Sequence, residues 1–161
     1  MANEILEKYG TSKTWTSSGG DAAITLTSLA NGSARMGASI DLGATRAKKH
    51  EVYLQVDPNV APTDGNVVNL YFVGSPDNAL WTGDDTTPSD AAYSTTDLLR
   101  NHIHVGDLIC DNTTSLQVQR FVVTDLPRYV APIVFNNCGQ AFTGTGTDQK
   151  IILYPVPDEI Q

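Results

Sequence analysis

Apolar and polar side chains alternate with a period of two through most of this sequence, and this alternation constrains the fold more than any other feature. Val52, Leu54 and Val56, for example, are separated by Tyr53 and Gln55. Such spacing places the apolar side chains on one face of a β-strand and the other side chains on the opposite face. The pattern recurs along the chain without a helical pattern of comparable length, so the sequence predicts an all-β protein.

About eight segments show this strand pattern, and turn signals such as Asn31-Gly32 separate nearly all of them. The segment at 67–73 is apolar on both faces and is predicted to be a central strand. Pro132 and Pro155 place the last two segments at sheet edges or strand ends, and Gly106 marks a predicted β-bulge. The segments are residues 22–29, 36–42, 51–56, 67–73, 102–110, 116–124, 129–135 and 150–156.

The length of 161 residues is typical of one domain. No alternation of strands with helices is present, and the helical candidates, residues 3–9 and 96–101, are short. The predicted fold is therefore an antiparallel two-sheet β-sandwich, with a jelly roll favoured. An immunoglobulin-like arrangement is the second choice, because the Cys…Trp…Cys order of immunoglobulin domains is absent. Both tryptophans precede both cysteines. Residues 1–20 are interpreted as an N-terminal arm and residues 21–161 as the β-sandwich domain.

The balance of charged residues argues against direct binding to nucleic acid. Lys and Arg number 10 and Asp and Glu number 18, which gives a net charge of −8. Proteins that bind nucleic acid directly neutralise phosphates with clustered basic side chains. The one basic cluster, Arg46, Lys48, Lys49 and His50, is interpreted as the solvated entrance of a strand.

The expected compartment follows from targeting signals and cysteines. No run of about 18 apolar residues is present, so no membrane span is expected. The first residues lack the basic and apolar regions of a signal peptide, and we expect synthesis and assembly in a cytoplasm. Cys110 and Cys138 each end an apolar segment and are predicted to be buried free thiols rather than a disulfide.

Residue patterns for catalysis are weak. His102 and His104 are two residues apart and would share one face of a strand, where they could supply two metal ligands. A third ligand is not obvious, although His50 could approach, and a pair of surface or interface histidines is the favoured interpretation. The Gly-rich segment at 144–147 lacks the Lys and Ser/Thr of a phosphate loop. With no Gly-x-Ser-x-Gly motif either, we expect no enzyme activity, metal or cofactor.

A long irregular stretch covers residues 74–95, and such loops are usually functional or mobile. Trp81 lies within it and is interpreted either as an exposed anchor for an interface or as a plug over one end of the sandwich. Asp84, Asp85 and Asp90 could suggest calcium binding, but they lack the spacing of a calcium loop and are interpreted as solvated turn carboxylates.

The predicted arm is polar, yet it holds Ile5, Leu6, Tyr9 and Trp15. A free tail would leave these side chains in water, so they are predicted to carry contacts with a partner. The alternative is that Trp15 belongs to an extra edge strand and that residues 1–10 form a short helix on their own domain.

Four parts of the sequence carry a family resemblance. They read, in order, APTDGNVV entering LYF at 61–72, PSDAAY at 88–93, PRYV followed by VFNNCGQA at 127–141, and IILYPV at 151–156. In this order and spacing they resemble small structural proteins of tailed bacteriophages, in particular head decoration (cement) proteins. The resemblance covers residues 20–158 and departs at Cys138, where Ser or Thr is expected.

This resemblance implies a β-sandwich or jelly roll without an active site, placed on the capsid exterior of a virion. The implied partner is the outer face of the major capsid protein shell. A homo-oligomer, with a trimer favoured, would match the symmetry of such a lattice. Two rival classes of function remain. One is a carbohydrate-binding or adaptor module of a phage tail, collar or head fibre, with Trp15, Trp81 and Tyr93 on one exposed face. The other is a small hydrolase with His102 or His104 beside a nucleophile.

Overall fold

A computed structural model describes residues 5–83, 87–94, 101–144 and 148–160, and these residues form strands and loops without a helix. The predicted all-β class is confirmed. The helical candidate at 3–9 is wrong where it is described, because residues 5–7 form a strand, and the candidate at 96–101 lies almost wholly outside the described residues. The strands are β1 Ile5–Glu7, β2 Lys13–Thr16, β3 Ala22–Ala23, β4 Ser33–Met36, β5 Ile40–Asp41, β6 Lys49–Val56, β7 Val67–Ser75, β8 Ala91–Tyr93, β9 Ile103–Ile109, β10 Gln117–Thr124, β11 Tyr129–Asn137, β12 Lys150–Val156 and β13 Asp158–Ile160.

Two sheets pack against each other and form the predicted sandwich. The five-stranded sheet has the order β10-β6-β12-β2-β3, and the six-stranded sheet has the order β8-β4-β11-β7-β9 with β5 beside β11. Neighbouring strands are antiparallel except β2 and β3, which run parallel. A separate ribbon joins β1 to β13. The two-sheet sandwich is thus confirmed, while the jelly-roll connectivity stays a prediction.

The core between the sheets is built from the inward positions of the alternating strands. Val52 and Leu54 on β6 face Leu70 and Phe72 on β7, and all four are fully buried. This confirms that β7 is central, since it lies between β11 and β9. Cys110 and Cys138 are free thiols and are buried in the same core, as the sequence predicts.

Trp15 belongs to this core and not to an interface. It lies on β2 opposite Ile151, it is 0% exposed, and its indole N–H donates to the carbonyl oxygen of Ala38 at 2.8 Å. The structure therefore corrects the placement of Trp15 and the arm boundary at residue 20. Residues 13–16 belong to the five-stranded sheet because they pair with residues 150–153 of β12, and this pairing directs Trp15 into the core.

Pro132 lies in the middle of a sheet, although the sequence predicts an edge or a strand end. Its strand, β11, runs between β4 and β7. The carbonyl of Pro132 accepts the N–H of Gly37 at 2.8 Å, and the reciprocal bond is the one that proline cannot make. β4 ends one residue earlier, at Met36, so the missing donor falls where the neighbouring strand is interrupted. Pro155 does lie near a strand end, as predicted.

The predicted bulge at Gly106 is present as a register shift between β7 and β9. A Cβ atom at this position would lie 2.4 Å from Cδ1 of Phe121, so glycine is needed to admit that ring from β10. The strand that carries Phe121, β10, pairs with β6 in unbroken register.

The outer face of the six-stranded sheet has a core of its own. Trp81 is 6% exposed and packs over Met36, Val73 and Ile133. The segment at 76–83, which carries Trp81, is called the covering segment below. Trp81 is therefore a plug, as one of its two interpretations has it, but it covers a sheet face rather than an end of the sandwich.

A tyrosine groove on the five-stranded sheet

The outer face of the five-stranded sheet carries aromatic side chains at positions where alternation places polar ones. Because Val52 and Leu54 fill the core, Glu51, Tyr53 and Gln55 point away from it on β6. The register with β12 sets Tyr53 beside Ile152 and sets Glu51 beside Tyr154. The register with β10 sets Val118 beside Gln55. Three strands thus bring these outward side chains into one group.

Tyr9 completes the group from the segment that precedes β2. The N–H of Gly10 donates to the carbonyl of Pro155 at 2.8 Å, which holds this segment against β12. A Cβ atom on Gly10 would lie 2.9 Å from Cγ of Pro155, so a larger residue would push the segment away. The Tyr9 ring lies edge-to-face with Tyr154 at a centroid distance of 5.6 Å, and Tyr53 does the same at 5.8 Å.

Glu51 is the electrostatic centre of the group and is only 6% exposed. Its Oε2 accepts the hydroxyls of Tyr9 at 2.8 Å and Tyr53 at 3.3 Å, and its Oε1 accepts Arg120 at 2.8 Å. The Tyr9 hydrogen bond, together with Arg120, holds the pKa of Glu51 below its usual range. The same hydrogen bond raises the pKa of Tyr9. The carboxylate is therefore ionised, neutralised by Arg120 and fixed in place.

The space between these side chains is a groove of about 370 Å³, which we call the tyrosine groove. Its volume falls within the range of about 300–1,000 Å³ that is usual for small-ligand sites. Tyr9 is 56% exposed and forms its rim. The lining combines apolar rings and methyl groups with hydroxyls and an amide, which suits binding rather than acid–base chemistry. The lining residues are Tyr9, Tyr53, Gln55, Val118, Ile152 and Tyr154.

A second cleft, of about 220 Å³, includes part of the predicted basic cluster. Lys13, Arg46 and His50 line it together with apolar residues. His50 is 1% exposed, and burial and then Arg46 lower its pKa, so its ring is neutral near neutral pH. The interpretation of the cluster as a solvated strand entrance is thus corrected for His50, while Arg46 and Lys48 are exposed as expected.

The two neighbouring histidines have separate partners. Nε2 of His104 lies 2.8 Å from Oδ1 of Asp107, and both side chains are about half exposed. Nε2 of His102 lies 3.0 Å from the hydroxyl of Tyr93. Neither histidine lines the tyrosine groove or the second cleft. Within the part of the chain that the structure describes, no three His, Cys, Asp or Glu side chains are grouped to hold a metal. The lack of enzyme activity stays a prediction.

The residues predicted for an interface are scattered. Ile5 and Leu6 lie on β1, but their side chains fall outside the described part of the structure. Trp15 and Trp81 are buried in different cores, so Tyr9 is the one of the five with a described, exposed side chain. The exposed cluster of Trp15, Trp81 and Tyr93 expected of a carbohydrate-binding module does not form.

Sequence reasoning missed Glu51, Tyr53 and Tyr154. The outward phase of Glu51 and Tyr53 can be read from the alternation on β6, but residues 151–154 of β12 are Ile, Ile, Leu and Tyr and show no alternation that fixes the phase of Tyr154. What the sequence lacks is the register that sets Glu51 beside Tyr154.

Comparison of the sequence with protein-family models and with curated proteins finds no match. Among the described residues, no helix is long and apolar enough to cross a membrane.

Proposed function

We propose that the protein is a phage decoration protein that binds the outer surface of the major capsid protein shell and stabilises the virion. The family resemblance over residues 20–158 supports this proposal, and so does the β-sandwich that the resemblance implies. On this proposal the protein acts as a homo-oligomer, with a trimer favoured because capsid lattices offer three-fold sites.

The β1–β13 ribbon is the observation that supports attachment most directly. Residues 5–7 pair with residues 158–160, and within the described residues this two-stranded sheet pairs with no other strand. A two-stranded sheet is marginally stable in water, and its free edges are templates for a further strand. A strand of the capsid protein that pairs with either edge would stabilise both the ribbon and the attachment. The predicted contact region thus keeps residues 5–7 and gains residues 158–160.

The test removes each half of the ribbon separately from the full chain. One variant lacks residues 1–8 and keeps Tyr9 and Gly10, and the other lacks residues 157–161. The measurement is binding to undecorated shells by co-sedimentation and electron microscopy, with circular dichroism to confirm the fold. Each deletion is expected to weaken decoration at least tenfold. The control is Leu80→Ser, because Leu80 is exposed and lies far from the ribbon in sequence.

Decoration with unchanged affinity by both folded truncations would overturn attachment through the ribbon. If the intact protein leaves undecorated shells bare, the proposed function itself is wrong. A strict monomer on and off the particle, as measured by sedimentation and electron microscopy, would contradict the trimer alone.

A further inference from the structure

We infer that the tyrosine groove is a binding site for an uncharged oligosaccharide. This activity is separate from capsid binding, and it uses residues other than the exposed tryptophans expected of a carbohydrate-binding module.

The aromatic character of the groove is the first reason. Tyr9, Tyr53 and Tyr154 supply three rings, and Tyr9 at the rim is more than half exposed. The C–H groups of a sugar ring are attracted to the negative face of an aromatic ring.

Fixed polar groups are the second reason. The hydroxyls of Tyr9 and Tyr53 both donate to Glu51, so their oxygen lone pairs remain to accept hydrogen bonds from a ligand. Gln55 adds an amide to the same groove, which offers donors and an acceptor. A sugar carries many hydroxyls that both donate and accept, and this set of groups complements them.

The charges at the groove and on the whole chain favour uncharged sugars over charged ones. Glu51 is already neutralised by Arg120 at 2.8 Å, and none of the described side chains that line the groove is charged. The whole chain carries −8, which disfavours an acidic polysaccharide. A neutral groove on an acidic protein therefore matches an uncharged polyhydroxyl ligand.

The groove is also rigid. Tyr53 and Tyr154 lie on neighbouring strands in continuous register, and the Glu51 hydrogen bonds hold the hydroxyls of Tyr9 and Tyr53 in place. Preorganised side chains lose little freedom when a ligand binds. Rigidity offsets the small apolar area that a sugar can bury.

The experiment uses the full-length protein with 13C-labelled tyrosine and follows the ring signals of its six tyrosines by NMR. Maltohexaose, cellohexaose and chitohexaose are the uncharged probes, and an oligogalacturonate is the anionic probe. At least one uncharged probe is expected to shift the signals of Tyr9, Tyr53 and Tyr154 at millimolar concentration. Tyr9→Ala is expected to weaken that binding at least tenfold. Tyr93→Ala, on the other sheet, is the matched control and is expected to leave it unchanged.

Three outcomes overturn the inference. The first is no shift with any uncharged probe, and the second is binding of the anionic probe as tightly as the neutral ones. The third is a shift of the groove signals with protein concentration alone, which would make the groove a contact between copies of this chain. Capsid decoration by Tyr9→Ala is measured separately, so failure of sugar binding leaves the proposed function standing.

Discussion

The outer faces of the two sheets differ in whether the chain covers them. On the six-stranded sheet, Trp81 from the covering segment buries apolar side chains and is itself 6% exposed. On the five-stranded sheet, Tyr9, Val118 and Val122 are each at least half exposed. Both faces carry apolar side chains at outward positions, so composition alone does not separate them. The difference indicates that the five-stranded face is the one left available for a ligand or partner.

Hydrogen bonds hold the covering segment in place. Oδ1 of Asp77 accepts the N–H groups of Ala79 and Leu80, both at 2.9 Å. The N–H of Thr82 donates to the carbonyl of Gly74 at 2.9 Å, and the hydroxyl of Thr82 accepts the Gly74 N–H at 3.0 Å. These bonds fold the segment back at the end of β7 and direct Trp81 onto the sheet.

The largest expected loss of stability comes from removing Trp81, the side chain that covers the six-stranded sheet. Trp81→Ala is expected to destabilise the fold by about 3–5 kcal/mol, because a large buried aromatic is replaced by a cavity. The neighbouring Leu80 is 72% exposed, so Leu80→Ala is the matched control and should change stability by no more than about 0.5 kcal/mol. Urea unfolding followed by far-UV circular dichroism measures both. Equal small losses in the two variants would show that the six-stranded face does not depend on its cover.

A second, smaller effect concerns Asp90, which ties the edge strand β8 to its surroundings. It accepts Nε of Arg35 at 2.6 Å and the N–H of Thr25 at 2.9 Å. Asp90 is thus an ion-paired residue and not the solvated turn carboxylate expected from the sequence. Burial alone would raise the pKa of Asp90, but the hydrogen bonds from Arg35 and Thr25 outweigh burial and leave its pKa below the usual value.

The sign of the pH dependence follows from this lowered pKa. The ionised carboxylate stabilises the fold fully above its unfolded pKa of about 3.9, and the contribution is lost as pH falls through the lower pKa of the folded state. Asp90→Asn should therefore destabilise most at neutral pH, and its difference from the parent should shrink below pH about 4. Urea unfolding at a series of pH values measures this, with Asp64→Asn in an exposed turn as control. A constant difference across that range would contradict the assigned role.

The strands that bury one or both faces could be predicted from the sequence. β6 and β7 appear where alternation and the two-sided apolar run place them, and Gly106 marks a true bulge. Prediction failed where the outcome depends on a neighbour that the local sequence does not name. Pro132 is tolerated centrally because β4 ends opposite it. Trp15 and Trp81 are buried because a particular sheet and loop close over them.

The candidate site could be predicted only in part, because it also depends on neighbours that the local sequence does not determine. Alternation shows that Tyr53 points outward on β6, whereas the continuous apolar run at 151–154 leaves the face of Tyr154 undetermined. Alternation does not show that β6 and β12 are neighbours, or that Tyr9 is held beside them through Gly10. Local periodicity determines the face of a side chain, whereas long-range register determines its companions.

The smallest expected effect tests whether the five-stranded face is truly open. Val118 and Val122 are 52% and 50% exposed, whereas Val68 in the core is 0% exposed. The same change, Val to Thr, should alter stability by no more than about 0.5 kcal/mol at the two exposed sites. At Val68 it should lower the free energy of unfolding by about 1–3 kcal/mol, because the core offers the new hydroxyl no hydrogen-bond partner.

The two substitutions at exposed sites, Val118→Thr and Val122→Thr, also distinguish a bare face from one that copies of the chain cover in solution. If the face is bare, Val118→Thr and Val122→Thr change neither the unfolding free energy nor the sedimentation coefficient, and the melting temperature depends on protein concentration in the same way as in the parent protein. If copies cover the face, the melting temperature of the parent protein rises with protein concentration because association stabilises the folded state, and both substitutions weaken the assembly and reduce that rise. That second result would make the five-stranded face the oligomer interface. The tyrosine groove would then be closed in the oligomer, so the oligosaccharide site would be excluded by the same measurement.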